Sequence, residues 1–311
     1  MSLRTAPIFV VGVDRSGTTL LSLMLDAHSR LAIPFESHFF VRFYNGMERF
    51  GDLMQEVNRR ALVAAILAEP YLQKWEHRVS PEEVDLDRCG SLSGAIAEIY
   101  TAYARSFGKD VWGDKTPEYI SHLWVLNELF PEGRFVHIIR DGRDVASSIV
   151  KQWWGAKDFA SALRYWAQNV ALARSMLRML PHNRYVELRF EDLVADPGAQ
   201  LARITDLLGL DFEPAMLSAY QEKAAAKVGD LASDVHPHLH KSPMLDQALK
   251  WQRELSPPDQ ALAHKIAGPL LAELGYPSGV TKHPLSLWRA AYHRMSESWK
   301  WRTAKARAKK R

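Results

Sequence analysis

Gly12-Val13-Asp14-Arg15-Ser16-Gly17-Thr18-Thr19 follows directly on the apolar run Ile8-Phe9-Val10-Val11. A buried strand, a glycine turn and a helix opening at about Thr18 turn several backbone N–H groups toward one anion, with the positive end of the helix dipole behind them. The chemistry open to such a loop is the holding of phosphate or sulfate. In a loop that serves a nucleoside triphosphate, a lysine after the second glycine reaches the β/γ-phosphates and the next Ser/Thr holds Mg²⁺. Here Thr18 stands in the lysine position and Arg15 is the fixed cation of the loop, so a nucleoside triphosphate fits poorly. A turn that only joins strand to helix is the plain alternative, and the agreement of glycine spacing, strand and helix argues against it.

A second cluster runs from Arg134 to Ser148 (RFVHIIRDGRDVASS). A strand ending in Arg140, a glycine turn, and a helix bearing Ser148 two turns in would set a guanidinium and a hydroxyl at the carboxyl edge of a sheet. Open parallel sheets bind ligands at that edge, and arginine offers paired, charge-assisted hydrogen bonds to phosphate oxygens. Alternatively, Asp141 and Asp144 simply pair with the arginines on the surface.

The elements that must position these groups follow from alternation of strand-like runs with helical periodicity, which predicts an α/β fold with a parallel sheet flanked by helices. Strands are expected near 8–13, 110–113, 134–139 and 184–189, with a short extended piece near 31–35. Thr116-Pro117-Glu118 has the polar residue, first-turn proline and early acid of a helix start, and Pro131 with Gly133 closes that helix. Residues from about 40 to 108 read as a helical insertion, including helices near 52–68 and 91–107, expected to roof the acceptor site. Further helices are predicted over about 159–180 and from Pro197 through Leu208.

At 311 residues, 47% of them hydrophobic, the chain can bury a large core as one α/β domain over about 1–280. Its one cysteine, Cys89, closes no internal disulfide, and the N-terminal residues lack a secretory pattern, so a reducing cytoplasm is the expected compartment. No window approaches the ~20 apolar residues of a membrane-spanning helix. The formal net charge of +4 hides a segregation: residues 281–311 hold ten Lys/Arg and one acid, which leaves 30 basic and 35 acidic residues before them. Leu285, Trp288, Tyr292, Met295 and Trp299 recur at helical spacing in that tail. It reads as a basic amphipathic helix, either peripheral at a membrane surface or docked on the body. Specific nucleic-acid binding is not expected without a reader fold.

Taken together, these segments resemble the 3′-phosphoadenosine-5′-phosphosulfate (PAPS)-dependent sulfotransferases, in particular the branch of tyrosylprotein sulfotransferases and bacterial relatives. The resemblance covers most of residues 8–276. It rests on Arg15-Ser16-Gly17-Thr18-Thr19-Leu20, Leu25-Asp26-Ala27-His28 followed by Glu36, Asp114-Lys115-Thr116-Pro117, and Arg140-Asp141-Gly142-Arg143 through Ser148. Phe190-Glu191-Asp192-Leu193-Val194-Ala195-Asp196-Pro197 and Lys250-Trp251 follow in the expected order. It implies a P-loop-like sulfotransferase fold in which Arg15, Ser16, Gly17, Thr18, Thr19 and Leu20 hold the 5′-phosphosulfate. Arg140 and Ser148 match the 3′-phosphate contacts, and Phe190, Lys241, Ser242 and Lys250 match further nucleotide contacts.

The resemblance also implies the reaction. Glu36 stands at the family's catalytic glutamate, Lys115 at the lysine that stabilises the leaving group's bridging oxygen, and Arg15 beside the departing phosphate. No metal is required in the family, and His236, His238 and His240 fit a polar loop as well as a ligand set. Phe35, Phe39 and Phe40 are expected to desolvate Glu36 and raise its pKa, with His38 the rival base. The chain departs from the pattern at Phe190, where many relatives carry tyrosine, and at Gln152, where some carry a basic residue. The acceptor is a hydroxyl of a sugar, lipid, phenol or peptide tyrosine, with the aromatic Trp153-Trp154 segment expected to line its pocket. Two other classes stay open: a P-loop small-molecule kinase, which would need Mg²⁺ and ATP, and a noncatalytic nucleotide-binding protein at a membrane.

Overall fold

The computed structural model describes residues 6–220 and 248–278. Lys241, Ser242, the loop at 233–243 and the tail at 281–311 lie outside the described residues. The strands are β1 (Ile8–Val11), β2 (Leu31–Ala32), β3 (Val111–Lys115), β4 (Arg134–Ile139) and β5 (Tyr185–Arg189). The helices in chain order are α1 (Thr18–Asp26), α2 (Phe40–Asn45), α3 (Glu56–Leu67), α4 (Leu92–Ser106), α5 (Leu123–Leu129), α6 (Gly142–Ile149), α7 (Phe159–Leu177), α8 (Phe190–Ala195), α9 (Pro197–Leu208), α10 (Ala215–Ser218), α11 (Trp251–Glu254) and α12 (Pro257–Glu273).

The described residues divide into two compact units, one of 6–139 with 172–220 and one of 140–171 with 248–278. The first contains the sheet. Its strand order is β2-β3-β1-β4-β5 with every pairing parallel. Parallel strands buried on both faces read as continuous apolar runs, and all four residues of β1 are buried. Because the strands share one direction, the segments that leave β1, β2, β3 and β5 start from the same carboxyl edge. Val10 lies in register with Lys115, so the last residue of β3 sits beside the start of the anion loop.

An aromatic core fixes one face. The Phe9 ring meets Phe135 and Phe130 at 5.5 Å, Trp112 edge-on at 6.2 Å, and Phe40 edge-on at 6.4 Å. Each such ring contributes about 1.5–3 kcal/mol on burial. Phe40 opens α2, so this packing also ties the preceding loop, with Glu36 and His38, to the sheet. The expected insertion is helical as described: α2, α3 and α4 with short 3₁₀ turns, and no strand among residues 40–108. The helix expected at Pro117 instead begins as a 3₁₀ turn, Pro117–His122. Its last residue, His122, at φ −129°, directly precedes α5.

The second unit is built around α6. Gly142 has no room for a side chain, since a Cβ there would stand 2.4 Å from Cε3 of Trp166, and the Trp166 indole N–H donates to the Arg140 carbonyl at 3.1 Å. Asp141 caps α6 by accepting from the Arg143 N–H at 2.9 Å. The Arg143 guanidinium returns two bonds to the same carboxylate, at 2.9 and 2.6 Å. It also donates to the Pro277 carbonyl at 2.8 Å and lies 3.4 Å from the centroid of the Trp251 ring. The Arg143–Asp141 pair is therefore buried, not the surface pairing that the sequence left open.

Candidate active site

The anion loop has the predicted form. β1 ends at Val11, α1 opens at Thr18, and the turn between them is closed by the Ser16 N–H on the Val13 carbonyl at 3.0 Å. Two left-handed residues shape it, Arg15 at φ 70° and Gly17 at φ 95°. Gly17 is required twice over. Its φ disfavours any side chain, and a Cβ would stand 2.4 Å from Cδ2 of the Phe190 ring. Phe190 thus supplies ring packing beneath the loop without a hydroxyl. Gly12 is equally confined, since a Cβ would stand 2.6 Å from the Ile138 carbonyl oxygen. Leu20 and Thr18 are buried on α1, while Thr19 is half-exposed. The Ser16 hydroxyl is buried with no hydrogen-bond partner among the described residues. Buried polar groups are normally satisfied, and a phosphate or sulfate oxygen in the loop would satisfy this one.

Beside the loop stands a line of charged groups. The Lys115 ammonium, 5% exposed, donates to Thr19 Oγ1 at 3.3 Å and to Glu36 Oε1. Glu36 Oε2 lies 2.9 Å from His38 Nε2, and His38 Nδ1 lies 3.0 Å from Glu118 Oε2. Lys115 therefore pairs with Glu36, and the alternative that the sequence allows, a surface pair with Asp114 or Glu118, is not formed. Asp114 faces the interior, where it accepts from the Tyr100 hydroxyl at 2.6 Å. Ser37 bonds the Tyr119 hydroxyl at 2.9 Å and takes Thr116 Oγ1 on its N–H at 3.0 Å. That buried network clamps the 36–40 loop to the end of β3 and so sets the distance between Glu36 and Lys115.

The electrostatics correct one expectation. Burial by itself pushes the Glu36 carboxyl up, but the Lys115 ammonium and the His38 ring outweigh it and hold the group at about 2. Phe39 and Phe40 are fully buried. Their rings lie in the core, packed on each other at 4.8 Å and on Phe43 and Tyr119. Burial pushes the His38 ring down, and its bonds to Glu36 and Glu118 reverse this, leaving its pKa above the usual histidine value.

In the second unit, Arg140 and Ser148 are both half-buried, with Ser148 next to last in α6. Arg140 comes 3.8 Å from Asp144 Oδ2, and Asp144 Oδ1 accepts the Trp251 N–H at 2.7 Å. Burial pushes the Asp144 carboxyl up to about 6, against the pull of Arg140. Lys250, which precedes Trp251, is shifted below the usual lysine value by burial and by the charges of Arg140 and Lys151, against Glu254 and Asp144. Crowded cations of this kind favour an anion. Trp153 is 84% exposed.

Sequence reasoning missed two partners of the site. Glu118 was noticed as the acid of a helix start and as a surface partner for Lys115, not as a partner of His38, and the Ser37–Tyr119–Thr116 network left no local signal. Among the described residues no group of His, Cys, Asp and Glu gathers as a metal site, and no helix is long and apolar enough to cross a membrane.

Comparison with known proteins gives the family and the fold. The profile of the sulfotransferase family matches residues 7–214. The chain belongs to that family. It is 27% identical over 285 residues to protein-tyrosine sulfotransferase A of Caenorhabditis elegans, covering 88% of this chain and 68% of the relative. It is 25% identical to nodulation protein NoeE of Sinorhizobium fredii, covering 86% of this chain and 65% of that protein, so it spans about two thirds of the length of these relatives. Among solved structures, the sulfotransferase domain from the curacin biosynthetic pathway superposes with a TM-score of 0.58 at 21% identity, over 88% of this chain and 98% of that one. It shares the parallel-sheet α/β fold.

Proposed function

We propose that this protein transfers a sulfuryl group from PAPS to an acceptor hydroxyl, with Glu36 as general base and Lys115 as the cation at the leaving oxygen. The observation that carries the reading is the placement of the Lys115 ammonium between Glu36 and Thr19 of the anion loop. A base and a cation beside one anion cradle are what an in-line transfer to oxygen needs: one group to take the hydroxyl proton, one to meet the charge on the departing phosphate. As that charge grows, Lys115 is drawn to it and loosens its hold on Glu36, whose basicity then rises. The loop N–H groups, Arg15 and the Ser16 hydroxyl would hold the phosphosulfate. For the 3′-phosphate we propose Arg140, Ser148 and Lys250, supported by family membership and by the cationic crowding around Lys250. The relatives named as protein-tyrosine sulfotransferases make a peptide tyrosine the first acceptor to try.

The test is transfer from radiolabelled PAPS to tyrosine peptides, phenols, sugars and lipid hydroxyls, with and without chelator. Transfer that survives the chelator is expected. Lys115→Ala should lower kcat about 10²–10³-fold and Glu36→Gln about 10²–10⁴-fold, with adenosine 3′,5′-bisphosphate still bound. The reading fails if no acceptor is labelled and ATP with Mg²⁺ raises the melting temperature more than adenosine 3′,5′-bisphosphate does.

A further inference from the structure

His38 is held more tightly than a bystander needs to be. Its backbone lies at φ 57°, a left-handed conformation that costs a non-glycine residue of order 1–3 kcal/mol and persists where the surroundings impose it. The result is an imidazole with one nitrogen on the Glu36 carboxylate and the other on Glu118. The Tyr71 ring covers it at 4.1 Å between centroids. The line Lys115–Glu36–His38–Glu118 begins at a buried ammonium and ends at a carboxylate that is 57% exposed.

We infer that His38 is a positioning residue for the base: it takes over the proton that Glu36 removes from the acceptor, and Glu118 steadies the imidazolium that results. The inference rests on the reading of Glu36 as the base. As the acceptor oxygen bonds to sulfur, the sulfur–bridging-oxygen bond breaks and its electron pair stays with the departing phosphate. The hydroxyl proton goes to Glu36 Oε2 and passes from that oxygen to His38 Nε2, which leaves Glu36 ionised with Oε1 still on Lys115, while His38 Nδ1–H stays bonded to Glu118 Oε2. The imidazolium returns its proton to water at the exposed Glu118. Without this step Glu36, held far below neutrality by its neighbours, would keep the proton poorly.

The charged groups around His38 set the direction of its pH dependence. Glu36 faces it from the loop after β2 and Glu118 from the turn after β3. The Tyr71 ring carries the Lys74 ammonium 4.7 Å from its centroid, Lys115 lies behind Glu36, and Asp114 is buried within reach of the imidazole's charge. The two direct contacts are both carboxylates, so the imidazolium is favoured. The working form is the neutral ring. Activity therefore rises with pH through the His38 titration and is lost below it.

The experiment is the pH profile of kcat/KM for a tyrosine peptide, measured in the unsubstituted enzyme, Glu118→Gln, His38→Gln and Glu36→Gln. Removing Glu118 removes a charge that favours the imidazolium, so the rising limb should move about 1 pH unit lower, with a lower plateau. His38→Gln should lose the limb and about a hundredfold in rate. A limb that stays in place in Glu118→Gln overturns the relay. Full activity in Glu36→Gln overturns the base assignment instead, so the two failures are distinct. An NMR titration of the His38 ring with adenosine 3′,5′-bisphosphate bound, assigned by its loss in His38→Gln, reads the same coupling without turnover. Its midpoint should fall in Glu118→Gln, and an unmoved midpoint rejects the proposal.

Discussion

At the scale of single residues, Glu36 ties the chemistry of the site to the stability of the fold. Its carboxyl stands near 2 when folded and at 4.5 in its unperturbed state. A depressed carboxylate adds stability above the unfolded pKa and loses it as pH falls toward the folded one. The contribution is thus present at neutral pH, up to about 3 kcal/mol, and fades between pH 4.5 and 2. Glu36→Gln removes it and leaves Lys115 without its counter-charge. Urea unfolding at pH 7 should show the variant well below the unsubstituted protein, and at pH 2.5 the two should converge. A gap that stays constant across that range contradicts the ion pair. The sign of this shift could not be read from the sequence. The neighbouring phenylalanines were visible, whereas Lys115 arrives from β3, 79 residues along the chain.

Among the elements, α6 offers the sharpest test, because one carboxylate both caps the helix and neutralises a buried guanidinium. Breaking a buried pair by removing one partner costs about 3–5 kcal/mol, against ~1 kcal/mol for a cap alone. Asp141→Ala should therefore lower the unfolding free energy by about 3–5 kcal/mol. Asp141→Asn keeps the capping oxygen and removes the charge, so it should cost nearly as much. Denaturant midpoints of the two variants decide whether cap or pair dominates. The elements were largely legible beforehand: β1, β3, β4 and β5 start or end within a residue or two of their expected positions, and α9 spans the predicted Pro197–Leu208. What escaped was short. α8 has six residues, too few for a helical period to register, and Pro117–His122 carries helix-start residues yet closes as a 3₁₀ turn. The anion loop was legible because its glycines, strand and helix are contiguous; the Lys115–Glu36–His38–Glu118 line was not, because two segments some 80 residues apart build it.

For the molecule as a whole, charge is segregated along the chain, with ten Lys/Arg and one acid in residues 281–311 and an acidic excess before them. Juxtamembrane basic residues contribute about 1 kcal/mol each near an anionic surface, and salt screens them. The full chain is therefore expected to sediment with phosphatidylserine vesicles at low ionic strength and to release at high salt. Deletion of 281–311 should abolish this and leave sulfuryl transfer to a soluble peptide intact. Unchanged vesicle binding after the deletion would remove the tail from any membrane role.

The position of β1 in the middle of its sheet has a consequence for biosynthesis. Its two neighbours are β3, where Ile8 pairs with Gly113, and β4, where Val11 pairs with His137. Closing such long loops is slow relative to local helix formation. A ribosome that has released fewer than about 139 residues displays a strand that still lacks its β4 flank, and a glycine turn without Ile138 and Phe190 to brace it. Ligand affinity should accordingly switch on late in translation, not before β4 has emerged.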